Sequence, residues 1–196
     1  TKGVDPNSET ATFAQIKLFI DNWRWQDVPF YIRSGKALKA KLSEVTVRFK
    51  RPPTMFFHLE PNEEFTPNVI TLAIQPDEGV HLRFEAKVPG NVQQMRSVDM
   101  DFHYKDGFSG VVLVDAYERL LLDALNGDAT LFIRSDEIEA SWRLIDPVIK
   151  GWASSRAPSL ALYKRGTWGP QAAEQQLTHD GRHWRVYSHV LGGTGG

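Results

Sequence analysis

Hydrophobic and polar positions alternate with a period of two through the first half of the chain, then switch to the helical period. From Thr12 to Asp21, Ala14, Ile16, Leu18 and Ile20 fall on one face, with Gln15, Lys17 and Asp21 on the other. That pattern predicts a half-buried strand. Phe30 to Arg33 predicts a second strand. Val45, Val47 and Phe49 alternate with Thr46, Arg48 and Lys50 for a third. It stops at Arg51-Pro52-Pro53, because successive prolines remove ladder donors. Met55 to Pro67 is irregular, acidic and aromatic and reads as a loop. Val69 to Gln75 predicts a fourth strand, and Pro76-Asp77-Glu78-Gly79 turns it into a fifth, Val80 to Val88, giving a hairpin. After Pro89-Gly90, Met95 to Tyr104 predicts a sixth, with Val98, Met100 and Phe102 on one side.

The period then changes. Asp115 with Glu118 has the spacing of a capping box. Tyr117, Leu120, Leu121, Ala124 and Leu125 follow at the spacing of a core-facing helical stripe, closed by Asn126-Gly127. Leu131-Phe132-Ile133 reads as a short buried segment. Asp136 with Glu139 caps a further helix, with Ile138, Trp142 and Ile145 inward and Pro147 expected to kink or end it. Pro158 to Tyr163 is an extended connection. Gly166-Thr167-Trp168-Gly169-Pro170 is a turn that starts a short helix, Gln171 to Leu177. Asp180-Gly181 leads into a last aromatic segment, His183 to Val190.

These elements predict an α+β domain over residues 12–190, with a large, mainly antiparallel sheet and helices packed on one face. The other face carries Gln15, Lys17, His81, Arg83 and Glu85 and is expected to meet solvent or a partner.

Composition narrows the classes. The 196 residues suffice for one sizeable domain. A formal charge of −1 gives no electrostatic case for nucleic acid or an anionic membrane surface. No apolar run approaches the roughly 18 residues of a membrane span. Cysteine is absent, which excludes disulfide scaffolds and thiolate sites and fits a reducing, cytoplasmic setting. Residues 1–11 lack an initiator methionine and a signal-type apolar core, and read as a linker from a preceding domain. Residues 191–196, rich in glycine, read as a disordered tail.

Candidate chemistry centres on Asp21 to Lys41. Two tryptophans precede a strand that ends in Arg33-Ser34-Gly35-Lys36, with Lys41 five residues later. Arg33, Lys36, Lys39 and Lys41 put four cations in nine residues. Such a group suits a phosphorylated or polyhydroxylated ligand, because an ammonium offers a point charge and three donors. Composition leaves a solvated basic turn equally open. No glycine-rich nucleotide-binding fingerprint follows a strand, so no Rossmann domain and no cofactor-binding residue is assigned. His179 and His183 span a turn with no third ligand, so no metal site is assigned. The remaining histidines lack a neighbouring nucleophile, and the paired carboxylates sit in turns or at a helix start.

The stretch D-N-W-R-W…V-P-F-Y-I-R-S-G-K-A-L at residues 21–38 resembles the substrate-side, C-terminal domain of bacterial-type glucose-6-phosphate dehydrogenases. Ile74 to Gly79, Asp115 to Leu120, Phe132 to Glu137, Trp142-Arg143, and Tyr163 with Trp168-Gly169-Pro170 extend the likeness in family order. The resemblance implies an enzyme that oxidises glucose 6-phosphate to 6-phosphogluconolactone with NADP or NAD. By position it implies Lys36, Lys41 and Gln75 as substrate contacts. It implies association as a homodimer or homotetramer through the sheet. The family's nucleotide domain, H-Y-L-G-K motif and catalytic histidine precede the matched region, so no catalytic residue is assigned here and the chain alone is expected to be inactive. Animal members carry a structural NADP site whose basic positions read Leu42, Thr46 and Ala73 here, with Arg83 and Arg165 keeping some charge; that site is expected to be absent. The alternative from another class is a non-catalytic binding or assembly module on the same sheet.

Overall fold

The structure is a computed structural model that describes residues 3, 5, 8, 10–52, 66–90, 94–108, 110 and 116–186. Residues 55–65 of the expected loop, the cap at Asp115, residues 187–190 of the last aromatic segment, the tail at 191–196 and most of the linker lie outside the described residues.

All six expected strands form: β1 (Phe13–Leu18), β2 (Phe30–Gly35), β3 (Ser43–Arg48), β4 (Val69–Gln75), β5 (Gly79–Lys87) and β6 (Met95–His103). Four helices accompany them: α1 (Tyr104–Gly107), α2 (Ala116–Asn126), α3 (Ser135–Trp152) and α4 (Gln171–His179). The α+β class holds, and every strand pair is antiparallel. The strands fall into a two-stranded sheet, β1-β2, and a four-stranded sheet, β3-β4-β5-β6. The chain divides into two compact units. One holds every strand with α1 and α4; the other holds α2 and α3. Among the described residues no helix is long and apolar enough to cross a membrane.

Register sorts the four-stranded sheet into two faces. Val45 opposes Leu72, Leu72 opposes Val80, and Val80 opposes Phe102; Val47, Ile70, Leu82 and Met100 form a parallel row. One face is therefore apolar from edge to edge. The opposite pleat carries Thr46, Thr71, His81 and Asp101 in one row and Arg83 with Asp99 in the next. The Thr46 and Thr71 hydroxyls lie 3.1 Å apart, and Arg83 makes a two-point bond to Asp99 at 2.7 and 2.9 Å. Ser97 bonds Glu85 on the same face.

The two-stranded sheet is covered differently. Its face bearing Gln15 and Lys17 meets neither solvent alone nor a separate partner, but the chain's own α4. Gln15 Nε2 donates to Ala173 O at 2.8 Å and to Gln176 Oε1 at 2.7 Å, while Trp184 Nε1 donates to Gln15 Oε1 at 3.0 Å. Ala173 and Leu177, four residues apart on α4, are buried. An amide presenting both donor and acceptor can satisfy a helix and a loop at once, which strand alternation alone does not reveal.

Several readings are corrected. The stripe on α2 does not face a core: Leu121 and Leu125 are exposed, and Asp123, bonded by Arg119 Nε at 3.1 Å, is the buried position. Ile138, Trp142 and Ile145 on α3 are likewise exposed, and so are Leu131, Phe132 and Ile133. Periodicity marks which face of a helix needs cover and is silent on what supplies it. Of the two outcomes expected at Pro147, a kink or an end, the end does not occur, since α3 runs five residues further to Trp152. Proline there lacks a backbone donor and crowds the carbonyl four residues earlier. Asp136 lies inside the first turn of α3 rather than at its cap, which is Arg134; Arg134 grips the Asp136 carboxylate at 3.1 Å. Finally, β6 stops at His103, and Tyr104 starts the short α1, its ring packed between Phe102 and Phe108 at 5.1 and 5.7 Å.

Candidate functional site

Lys36 and Lys41 come together. They bound an open cavity of about 350 Å³ lined also by Gly35, Ala37, Leu38 and Ala40. That size falls in the ordinary range of small-ligand sites. Both lysines are exposed. The turn between them is not slack. Lys36 N donates to Thr12 O at 2.8 Å, Gly166 N to Ala37 O at 2.9 Å, and Lys39 N to Thr167 O at 3.0 Å. The Tyr163 hydroxyl donates to Lys36 O at 2.8 Å.

Phe13, the first residue of β1, wedges this turn from below. Its ring approaches so closely that a Cβ at Gly35 would lie 2.8 Å from Cδ2 and a Cβ at Gly169 would lie 2.4 Å from Cε2. The Tyr163 ring leans on it with centroids 5.6 Å apart.

Gln75, the last residue of β4, lies on the other sheet. Its Nε2 donates to Ser43 Oγ at 2.9 Å, and Ser43 begins β3 two residues after Lys41. The amide thus sits at the sheet end from which the lysine turn departs, but it does not line the cavity between the lysines.

Arg33, counted with the cations in the sequence, points elsewhere. On β2 it pairs with Gln15, facing α4. Its guanidinium lies between the rings of Trp168 and Trp184, at 5.0 and 4.3 Å, with Glu174 at 3.7 Å. Burial pulls this guanidinium down from its usual value, and the charges of Glu174 and Glu44 partly oppose that. Arg33 is a packed element of the scaffold, leaving Lys36 and Lys41 to face the cavity.

A second polar group fastens α4. Asp180 Oδ2 accepts from Lys17 Nζ at 2.8 Å and from the Tyr31 hydroxyl at 2.6 Å. The bond from Lys17, then that from Tyr31, lowers the Asp180 carboxyl from 3.8 to about 2. The same bond raises the Lys17 ammonium, while burial and the bond to Asp180 raise the Tyr31 phenol.

His81 Nδ1 lies 2.6 Å from Asp101 Oδ1, and His103 Nδ1 lies 3.1 Å from Asp77 Oδ2. Asp77 is held low chiefly by its bond from Lys105. Among the described residues no group of three or more metal-ligating side chains converges. His179 ends α4 and His183 lies beyond the Gly181 turn, both exposed.

Sequence reasoning missed Thr12, Phe13 and Tyr163 as supports of the lysine turn. Tyr163, the farthest of them, is 127 residues from Lys36, so no local spacing signals the contact.

A family model described as glucose-6-phosphate dehydrogenase, C-terminal domain, matches residues 1–185. The chain is 44% identical over 190 residues to glucose-6-phosphate 1-dehydrogenase of Treponema pallidum (strain Nichols), covering 96% of this chain and 36% of that protein. It is 43% identical to the enzyme of the same name from Aggregatibacter actinomycetemcomitans, covering 97% of this chain and 37% of that one. The fold is similar to the crystal structure of glucose-6-phosphate 1-dehydrogenase from Mycobacterium avium, with a TM-score of 0.76 and 36% identity over 95% of this chain and 37% of that chain. It is also similar to a glucose-6-phosphate dehydrogenase solved in complex with its substrate glucose-6-phosphate, with a TM-score of 0.82 and 31% identity over 94% of this chain and 37% of that chain. The chain thus spans little more than a third of the length of these relatives.

Proposed function

The chain belongs to the glucose-6-phosphate dehydrogenase C-terminal domain family, and on that premise we propose that residues 12–190 are the substrate-side and self-association part of a cytoplasmic glucose-6-phosphate dehydrogenase. The whole enzyme oxidises glucose 6-phosphate to 6-phosphogluconolactone, passing hydride to NADP or NAD. The observation that carries this reading is the cavity between Lys36 and Lys41.

Two ammonium groups on one clamped turn offer six N–H donors and two positive charges to phosphate and sugar oxygens. The Gln75 amide, at the sheet end beside Ser43, adds a neutral contact to the same ligand. Fixing the sugar phosphate at several points removes its rotational freedom and holds C1 in line for hydride loss. The relative solved with glucose 6-phosphate names the ligand that such a site suits. The sequence carries no glycine-rich nucleotide-binding fingerprint of the Rossmann or P-loop kind. The chain's own part is to bind and orient the substrate. In the assembled protein a second copy associates through the four-stranded sheet, a surface broad enough to pair across four strands.

Replacing Lys36 in the full-length enzyme tests the reading. Loss of one charge-assisted bond to substrate in Lys36→Ala should lower kcat/KM by about 1.5–3 kcal/mol in transition-state stabilisation. An unchanged kcat/KM would remove Lys36 from the site.

A further inference from the structure

Lys36 stands on a piece of backbone that does not hold itself. The next residue, Ala37, has φ +50, in the left-handed region that costs residues with a Cβ about 1–2 kcal/mol. A kink of that kind persists only where its surroundings over-determine it. Three of the bonds that do so are backbone to backbone: Lys36 to Thr12, Gly166 to Ala37 and Lys39 to Thr167. The fourth comes from a side chain. The Tyr163 hydroxyl lies 2.8 Å from Lys36 O, 3.0 Å from Thr12 O and 3.2 Å from Thr12 Oγ1. A phenol has one hydrogen, so it serves the two carbonyls in alternation or by sharing. Without it, Lys36 O would lose this donor, while Thr12 O would keep the Lys36 amide.

We propose that Tyr163 is a positioning residue for substrate binding, acting through the peptide that carries Lys36. The inference rests on Lys36 being a substrate contact. Tyr163 itself faces the backbone side of the turn, with its ring against Phe13, and does not line the cavity. Its effect is preorganisation. With the hydroxyl in place, the Lys36 Cα is fixed and only the side chain must be ordered when the sugar phosphate arrives. With it removed, the left-handed step at Ala37 can relax, and binding must restore the turn before the ammonium reaches its partner. The hydroxyl therefore favours the bound substrate and the transition state alike.

The test is steady-state kinetics on the full-length enzyme carrying Tyr163→Phe, which keeps the ring against Phe13 and removes only the hydroxyl. The KM for glucose 6-phosphate should rise about threefold to tenfold, as for one neutral hydrogen bond, with kcat and the KM for the nicotinamide nucleotide unchanged. In a Lys36→Ala background, the same substitution should add less than about twofold, because the route of action is already gone. A KM unchanged by Tyr163→Phe while Lys36→Ala raises it would overturn the positioning role and leave the substrate site standing. An equal further loss in the Lys36→Ala background would reduce Tyr163 to a general stabiliser. A KM unchanged by Lys36→Ala itself would remove the substrate reading, and the route proposed for Tyr163 with it.

Discussion

Phe13 decides how tightly the lysine turn can close, and two glycines make room for it. At Gly169 both reasons for glycine operate together: φ is +118, and an added Cβ would come within 2.4 Å of the Phe13 ring. Gly169→Ala should destabilise the full-length protein by about 1–3 kcal/mol from the backbone conformation alone, with the ring clash added to that. The denaturation midpoint in urea reads the loss, and a variant within error of wild type would show that the ring and the turn separate easily. The sequence singles out Lys36, Lys41 and Gln75 only through the family pattern that quotes them. What places them was not legible. Tyr163 and Thr12 meet Lys36 across intervals no sequence spacing encodes, and Arg33, one of four neighbouring cations in the sequence, is withdrawn between two tryptophans that lie 135 and 151 positions away.

At the level of elements, α4 is fastened to β1 and β2 by burial of Ala173 and Leu177 and by a polar group at its C-terminal end. Asp180 there titrates at about 2, below its ordinary 3.8. A carboxyl depressed on folding contributes stability that is fully present above its unfolded value and is lost as pH falls through its folded value. Asp180 therefore weakens the attachment of α4 between pH 3.8 and about 2. Asp180→Asn should lower stability at neutral pH and flatten the acid limb in that window, read as the denaturant midpoint against pH. An acid limb identical to wild type would show that Lys17 and Tyr31 contribute nothing through this carboxylate. The strands themselves were readable because alternation is a local property that pleating converts directly into two faces. β4 emerges with the expected bounds, and β1, β2, β3 and β5 shift at their ends only. The helices were readable as helices but not in their burial. Pro147 shows why: a helix interior tolerates one missing donor when the residues beyond it remain helical.

For the whole molecule, the four-stranded sheet is a continuous surface with one apolar and one polar face. Self-association through it predicts that the full-length protein sediments as a dimer or tetramer. The polar face supplies the sharper probe, since Arg83 is held there by Asp99. Arg83→Glu sets like charges against each other across β5 and β6 and should shift the protein toward monomers while folded structure, followed by circular dichroism, persists. Sedimentation of the unsubstituted protein as a monomer at micromolar concentration would remove the proposed association.

The bond between Tyr163 and Thr12 also bears on when the binding turn can come into being during folding. β1 and β2 lie close together in the chain and can pair as a local hairpin soon after both are available. The clasp over Lys36 closes a loop of 151 residues from Thr12 and 127 from Lys36. Contacts that distant carry the loop-closure entropy of a long intervening segment before any stabilisation is gained. Both lysines are thus made well before Tyr163, yet the turn that carries them becomes rigid only after Tyr163 has been made and has folded back, 127 residues beyond Lys36. In refolding, the capacity to grip a sugar phosphate should return after the strands do.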